Sequence, residues 1–213
     1  MTFDSIYYVR DNKKFLNGIY LNIPPGKIVG LFGRNGSGKS TIMKIGSGQK
    51  SQTNGNIFIN STLLSKQRFN KISYMSQNSF LPKEMQVRKI LKMNKNFDQI
   101  SFNDSIVESI YSFKVKNLSK SHRRYFELIL LLSLNRDFYL LDEPFASLDP
   151  ILSERVSNLL LNTKKLGKGI LITDHYYRYV MNICDIAYIL INGRCLKLDI
   201  NELHNELIKY KYL

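Results

Sequence analysis

A glycine-rich segment that ends in lysine and serine is the part of the sequence best suited to chemistry. Residues 33–40 read GRNGSGKS, which satisfies the pattern G-x-x-x-x-G-K-[ST]. The glycines let backbone N–H groups wrap around phosphate oxygens, and a helix that follows points its positive end at the same phosphates. Lys39 is expected to contact the β- and γ-phosphates, and Ser40 to bind Mg²⁺. The candidate phosphate-binding residues are Gly33, Asn35, Gly36, Ser37, Gly38, Lys39, Ser40 and Thr41.

Two carboxylates, Asp142 and Glu143, follow the apolar run 138–141. A phosphate site with Mg²⁺ needs a carboxylate on a neighbouring strand to hold the metal through water. Open α/β sheets place their ligands at the carboxyl ends of strands, which is where Asp142 is expected. Glu143 suits a general base that positions and polarises the attacking water. The sequence therefore predicts a metal carboxylate and a catalytic carboxylate side by side.

Strands that alternate with helices must position these residues. Apolar runs with turn residues at their ends predict strands within the first 30 residues, including 15–23, and further strands at 27–32, 57–59, 72–75, 138–141, 169–173, 186–190 and 194–198. Helical spacing indicates helices over 41–45, 124–134, 152–166 and 201–210, and a small helical lobe between about residues 78 and 117. Alternation of this kind is typical of an α/β fold with a wound, mostly parallel sheet.

Length, charge and hydropathy narrow the class of protein. The 213 residues suit one domain, and the formal charge of +14 suits an anionic partner such as a nucleotide, a nucleic acid or a lipid surface. The uninterrupted apolar run at 128–132 is far too short to span a bilayer. No signal peptide is visible, and two cysteines cannot form a secreted disulfide framework. A reduced intracellular setting is expected, with any membrane-spanning part supplied by another chain.

The sequence resembles the nucleotide-binding subunit of ABC transporters, the ATP-binding cassette ATPases. The resemblance runs in the family's order through nearly the whole chain. GRNGSGKST at 33–41 resembles the Walker A motif, and LLDEP at 140–144 resembles Walker B with its catalytic glutamate. Gln77 is similar to the Q-loop glutamine, SLD at 147–149 to the D-loop, and TDH at 173–175 to the switch histidine. The sequences of these motifs are most similar to those of cassettes of the lipopolysaccharide-exporter kind.

This resemblance implies one ABC ATPase domain over residues 1–213. Its expected architecture is a P-loop NTPase (RecA-like) core with a mostly parallel sheet, an N-terminal antiparallel β subdomain and a short helical subdomain at 78–125. ATP and Mg²⁺ are the implied cofactors, hydrolysed by two cassettes that close head to tail, in a homodimer or a pair of different cassettes. Transmembrane permease subunits are the implied partners, which places the chain peripherally on the cytoplasmic face of the cell membrane.

The resemblance also implies a role for each matching residue. Glu143, His175 and Gln77 form the catalytic set, and Ser40, Gln77 and Asp142 the metal set. Asp149 communicates across the dimer interface, and Tyr8, favoured over Tyr7, stacks on adenine. Ser119 contacts the nucleotide held by the opposite cassette.

The family's LSGGQ signature is the motif from which this chain departs. Residues 118–124 read LSKSHRR, so Leu118 and Ser119 are kept, whereas both glycines and the glutamine are replaced. Glycine matters where backbone N–H groups approach phosphate without a Cβ in the way. The positive charge of Lys120 compensates in part, and Ser119 still donates a hydrogen bond. The alternative is a plain helix N-terminus with Ser119 as its N-cap and no contact across the dimer.

Two alternative functions stay open at this point. One is a weakly or non-hydrolysing, ATP-dependent interaction module, and the other a soluble ABC-type ATPase that acts on nucleic acid. An unrelated P-loop kinase is disfavoured by the set formed by Gln77, residues 147–149 and His175. The excess positive charge lies before Asp142: residues 1–77 carry 11 Lys and Arg against 2 Asp and Glu. That distribution fits an anionic membrane surface and makes nucleic acid a minor candidate.

The changes in the signature motif at 118–122 predict slow ATP hydrolysis. Replacing both Lys120 and Ser121 with glycine is expected to raise the ATPase activity of the assembled transporter, because backbone N–H groups then reach the γ-phosphate. Phosphate release at saturating ATP measures the effect. An unchanged or lower rate in the double variant would contradict a weakened site.

Overall fold

The computed structural model describes residues 1–64, 70–93 and 104–213. The described strands form two sheets, one of them antiparallel and the other mostly parallel. This arrangement, with helices between the strands of the larger sheet, confirms the predicted α/β fold with its N-terminal antiparallel β subdomain.

The larger sheet carries the ends that matter for chemistry. Its strand order is β10-β9-β3-β8-β7-β6, and all neighbouring pairs are parallel except β10 with β9. The strands span Ile28–Phe32 (β3), Ile72–Met75 (β6), Phe138–Asp142 (β7), Gly169–Thr173 (β8), Ile186–Ile191 (β9) and Arg194–Leu198 (β10). Strands β3, β7 and β8 are buried throughout, which matches their continuous apolar sequences.

The smaller sheet is built mainly from the N-terminal residues. Its order is β2-β1-β4-β5, with strands at Thr2–Arg10 (β1), Lys13–Asn22 (β2), Asn54–Ile59 (β4) and Thr62–Leu63 (β5). Strands β1 and β2 form a long antiparallel hairpin around Asp11 and Asn12, which both have positive φ. The predicted short strands of the first 30 residues are therefore two long ones, because pairing extends each strand well past its most apolar stretch.

Helices connect and cover the sheets. The described helices are Lys39–Ser47 (α1), Val87–Met93 (α2), Ser105–Ile110 (α3), Lys120–Leu132 (α4), Pro150–Lys165 (α5), Tyr177–Ile183 (α6) and Leu203–Lys209 (α7), with a 3₁₀ turn at Val115–Asn117. Helices α2 and α3 and the 3₁₀ turn lie within the predicted helical lobe. Residues 94–103 of the predicted lobe lie outside the described part of the chain. In the described ranges, no helix has the length and apolar composition needed to cross a bilayer.

Helix α1 is held in the core between the two sheets. Gly46 permits the close approach, because a Cβ at this position would lie 2.6 Å from Phe3 Cζ and 2.9 Å from Leu140 Cδ1. The aromatic ring belongs to β1 of the smaller sheet and the leucine to β7 of the larger one. This contact sets the depth of α1, and with it the position of the loop that precedes the helix.

Helix α4 begins four residues earlier than its apolar pattern predicted. The pattern indicated residues 124–134, whereas the helix runs over Lys120–Leu132. Ser119 is its N-cap, and the Ser119 side chain accepts a hydrogen bond from the His122 N–H. Capping adds a polar first turn to a helix whose buried residues begin at Arg124, which apolar periodicity alone does not detect.

Candidate active site

The parallel strands end at one edge of the larger sheet and bring the predicted residues together there. Gly33 follows β3, Gln77 lies just beyond β6, Glu143 follows β7 and His175 lies just beyond β8. Gln77, Glu143 and His175 border a cleft with a volume of about 500 Å³. The predicted residues on its lining are Asn35, Gly36, Gly38, Lys39, Ser40, Thr41, Gln77, Glu143 and His175.

The glycine-rich loop adopts the conformation that its sequence predicted. Gly33, Gly36 and Gly38 have φ angles of 144°, 76° and 114°, a region that side-chain-bearing residues rarely adopt. The Lys39 ammonium lies 2.5 Å from the Gly33 carbonyl and 3.1 Å from the Arg34 carbonyl, so it braces the loop from within. Burial lowers the pKa of Lys39, while the charges of the carboxylates at 142 and 143 oppose that shift.

Asp142 is a buried carboxylate with an unused oxygen. Its Oδ2 atom accepts a hydrogen bond from the Tyr74 hydroxyl at 3.1 Å, while Oδ1 is buried with no hydrogen-bond partner in the described residues. Burial raises the pKa of Asp142, and the neighbouring hydroxyls of Ser40 and Tyr74 act in the opposite direction. A hydroxyl, a carboxylate with a free oxygen and phosphate oxygens are ligands that suit Mg²⁺. The residues present therefore fit the predicted metal.

Glu143 is the centre of a set of polar side chains at the cleft. Its Oε1 atom lies 2.6 Å from Gln77 Nε2, which donates to it, and 2.9 Å from His175 Nε2. The three predicted catalytic side chains thus meet on one carboxylate oxygen. The backbone of Glu143 has a φ of 57°, in the left-handed region, so the carboxylate is aimed by a conformation that few residues adopt.

Asp174 ties the segment that carries His175 to the end of β7. Its Oδ2 atom accepts a hydrogen bond from the Phe145 N–H at 2.7 Å, and Oδ1 accepts one from the Tyr176 N–H at 2.8 Å. Burial raises the pKa of Asp174 to about 6. These two bonds fix the turn after β8 relative to the turn after β7, which keeps His175 beside Glu143.

Tyr8, Ser119 and Asp149 are placed away from this group. Within the described ranges, these three predicted residues are not among the side chains that line the cleft. Asp149 is the N-cap of α5 and accepts from the Leu152 N–H at 2.8 Å. Ser119 caps α4 as described, so both side chains have local structural roles in one chain. Their predicted contacts across a dimer remain predictions.

The aromatic side chain on the cleft lining is Phe15, which the sequence analysis did not single out. The predicted adenine-stacking residue, Tyr8, packs edge-on against Phe15 with ring centroids 6.4 Å apart, and the Lys50 ammonium lies 4.6 Å above the Tyr8 ring. Arg10 also lines the cleft. No local signal distinguishes Phe15 from the other apolar residues of β2, because only the turn between β1 and β2 brings it to the loop.

A hydrogen bond joins the segment at 118–124 to the one at 147–149. The Ser121 hydroxyl donates to the Ser147 carbonyl at 2.6 Å. Ser147 has a positive φ of 64°, so its carbonyl direction depends on an unusual backbone conformation. Ser121, which stands where the family signature has glycine, therefore supports the turn that leads to Asp149. Glycine has no hydroxyl and could not make this hydrogen bond.

Comparisons with known proteins identify relatives across most of the chain. A family model described as ABC transporter matches residues 16–146. A lipopolysaccharide export system ATP-binding protein of Haemophilus influenzae is 29% identical, over 95% of this chain and 92% of the relative. An uncharacterised ABC transporter ATP-binding protein of Rhizobium meliloti is 31% identical, over 87% of this chain and 74% of the relative. The solved structure of an ATP-binding cassette of an ABC transporter superposes with a TM-score of 0.86 at 21% identity, covering 99% and 97% of the two chains.

The unused oxygen of Asp142 leads to a test of metal binding. Asp142→Asn is expected to weaken nucleotide binding in the presence of Mg²⁺ by about 10- to 100-fold, because an amide lacks the charge that holds the cation. Binding of a fluorescent ATP analogue with Mg²⁺, and separately with a chelator, measures the effect. The exposed Asp199→Asn serves as the control. An equal loss with and without Mg²⁺ would show that Asp142 does not act through the metal.

Proposed function

The chain belongs to the ABC transporter family and is an ATP-binding subunit with ATPase activity. From this premise we propose a role for each part of the cleft. The α- to γ-phosphates lie along the glycine-rich loop, where the backbone N–H groups of residues 36–41 and the Lys39 ammonium hold them. Lys39 exchanges its loop carbonyls for phosphate oxygens, which are stronger acceptors because they are charged.

The observation that carries the proposal is the meeting of three side chains on Glu143 Oε1. A carboxylate at the cleft with a glutamine amide and an imidazole within 2.9 Å is suited to orient a water molecule and accept its proton. In this proposal Glu143 is the general base, Gln77 holds the water or the metal through its amide oxygen, and His175 donates to the γ-phosphate.

A magnesium ion would be held at the base of the cleft. Ser40, Gln77 and Asp142 would hold it, with Asp142 acting through water. Bound Mg²⁺ would neutralise charge on the β- and γ-phosphates. Among the described residues, no group of three or more His, Cys, Asp or Glu side chains forms a metal site. The proposed ion therefore depends on the phosphates for its remaining ligands.

Two copies of the cassette, or a pair of different ones, would close head to tail over two ATP molecules. In this arrangement the exposed first turn of α4 contacts the γ-phosphate on the opposite cassette, with Lys120 supplying an ammonium where the family has glycine. Because the Ser121 hydroxyl supports Ser147, glycine at position 121 also removes that support. The single variant Lys120→Gly separates the two effects.

An apolar groove beside the helical lobe is the proposed docking site for a transmembrane subunit. The groove has a volume of about 560 Å³ and runs between β6, α2 and α4. Two large apolar side chains on its lining, Phe80 and Met93, are 51% and 73% exposed. A helical segment of a permease would cover them, and such coverage couples ATP binding to movement in the membrane. In this arrangement the chain would lie peripherally on the cytoplasmic face of the membrane, with its positive charge toward anionic lipids.

Removing the charge of Glu143 tests its role as general base. Glu143→Gln is expected to lower the rate of phosphate release at least about 100-fold, because the amide cannot accept the proton of water. ATP binding is expected to persist, and an ATP-dependent dimer is expected to accumulate, measured by light scattering. The exposed Glu154→Gln is the matched control. Full turnover by Glu143→Gln would contradict the proposed role.

Changing the groove tests the proposed membrane partner. Phe80→Asp is expected to lose integral membrane proteins that co-purify with the wild-type chain from detergent-solubilised membranes, because a carboxylate cannot be buried against an apolar helix. Phe113→Asp changes a phenylalanine of similar exposure, 49%, that does not line the groove, and is expected to keep them. Retention of the same partners by Phe80→Asp would place the docking site elsewhere.

A further inference from the structure

One buried arginine, near the start of α4, contacts the main chain around the catalytic side chains. The Arg124 side chain is 7% exposed, and its guanidinium has five N–H donors. Nε donates to the Glu143 carbonyl at 3.2 Å, and Nη2 donates to the same carbonyl at 2.8 Å and to the Asp142 carbonyl at 2.5 Å. Nη1 donates to the Ser76 carbonyl at 2.8 Å and to Glu127 Oε2 at 3.3 Å. Each N–H of the guanidinium therefore has an acceptor.

The main chain of Glu143 is fixed from both sides. Its N–H donates to the Thr173 carbonyl at 2.7 Å, and its carbonyl accepts two of the bonds from Arg124. A non-glycine residue in the left-handed region persists only where the surrounding structure over-determines it. The Glu143 carbonyl also accepts from the Ala146 N–H at 3.2 Å, so Arg124 supplies two of the three bonds that hold this carbonyl and with it the direction of the catalytic carboxylate.

The same guanidinium fixes the peptide that leads to Gln77. The Ser76 carbonyl belongs to the peptide group shared with Gln77, and it accepts from Nη1. The Gln77 amide then reaches Glu143 Oε1 at 2.6 Å. One side chain of α4 thus holds two separate segments of backbone whose side chains meet in the cleft.

Glu127, one turn further along α4, keeps the guanidinium in place. It is 1% exposed, and its Oε1 atom has no hydrogen-bond partner in the described residues. A buried carboxylate in this state is stabilised chiefly by the positive charge of Arg124, 3.3 Å from Oε2. The charge pair is therefore a unit, and removing the arginine alone would leave a buried charge uncompensated.

We propose that Arg124 is the positioning residue of the catalytic set, which orients Glu143 and Gln77 through their main chains and links them to α4. The proposal rests on the proposed role of Glu143 in hydrolysis. Because α4 also carries the segment 118–123 at its start, a shift of this helix would be transmitted directly to the catalytic carboxylate.

Lysine could not replace this arginine in its function. Its three donors radiate from a single nitrogen, whereas the planar guanidinium presents five donors on three nitrogens and spans carbonyls of two segments. Arg124→Lys keeps the charge beside Glu127 and thus spares the fold, while it cannot maintain the bonds to Ser76, Asp142 and Glu143 together. The substitution separates orientation from charge.

The experiment compares Arg124→Lys with Arg194→Lys, the same change at an exposed arginine on β10 that does not line the cleft. Arg124→Lys is expected to lower kcat by about 10- to 100-fold, because a displacement near 1 Å costs rates of that order. Its dissociation constant for ATP is expected to stay within about two-fold, since the glycine-rich loop is untouched. Arg194→Lys is expected to match the wild type in both. The full chain is used, with any membrane subunits that co-purify.

A second comparison shows whether Arg124 acts through Glu143. In the Glu143→Gln background, Arg124→Lys is expected to lower kcat far less than in the wild-type background, because the carboxylate that it orients is already gone and only Gln77 remains to be displaced. The proposal would be overturned if the fall in kcat of the double variant equalled the product of the falls in the two single variants. A wild-type kcat in Arg124→Lys would overturn it as well, and so would parallel falls in kcat, ATP affinity and thermal midpoint, which indicate a purely structural role.

If Arg124→Lys does not fold, the double variant Arg124→Gln, Glu127→Gln removes both buried charges together and is expected to fold. This double variant is expected to bind ATP and to have a kcat at least about 10-fold below that of Glu127→Gln alone. Equal kcat values for the two would overturn the proposal. If Glu143→Gln is inactive while Arg124→Lys is fully active, the positioning role of Arg124 is rejected and the role of Glu143 as general base stands. Active Glu143→Gln would reject the proposed base itself.

Discussion

Strand β7 pairs in parallel with β8 on one side and with β6 on the other, and the active-site geometry depends on that pairing. The register sets Asp142 opposite Thr173 and Leu141 opposite Met75. The residues that follow these strand ends, Glu143, Asp174 with His175, and Gln77, are therefore brought to one edge. Strand β3, on the far side of β8, adds the glycine-rich loop at the same edge. Continuous apolar sequences bury β3, β7 and β8 on both faces, which keeps these strands at the centre of the sheet.

Polar contacts across this edge hold the turns that carry the catalytic residues in fixed positions relative to one another. Asp174 joins the turn after β8 to the turn after β7, and the Arg124 guanidinium joins the segments after β6 and β7 to α4. Glu143 adopts a left-handed conformation between them, which costs energy of order 1–3 kcal/mol and requires this support. The ATPase cleft is therefore organised before nucleotide binds, which reduces the ordering required during hydrolysis.

Much of the fold and of the cleft could be predicted from the sequence because the relevant patterns are local. The glycine-rich loop, the acidic end of β7 and the apolar strand runs each lie within a few consecutive residues, and the ABC transporter family was predicted from their order. Phe15, the Ser121–Ser147 hydrogen bond and the five bonds of Arg124 could not be predicted in the same way. Each joins segments that are far apart in sequence, and Arg124 reads locally as one more polar residue before an apolar helix.

The most direct measurement is an experimental structure of the Glu143→Gln chain with ATP and Mg²⁺. The account predicts the γ-phosphate beside Lys39 and His175, the metal beside Ser40 and Asp142, and the side chain at 143 facing the γ-phosphate with its main chain still held by Arg124. A nucleotide bound outside the cleft would contradict the account. So would a metal remote from Asp142, or a side chain at 143 turned away from the γ-phosphate.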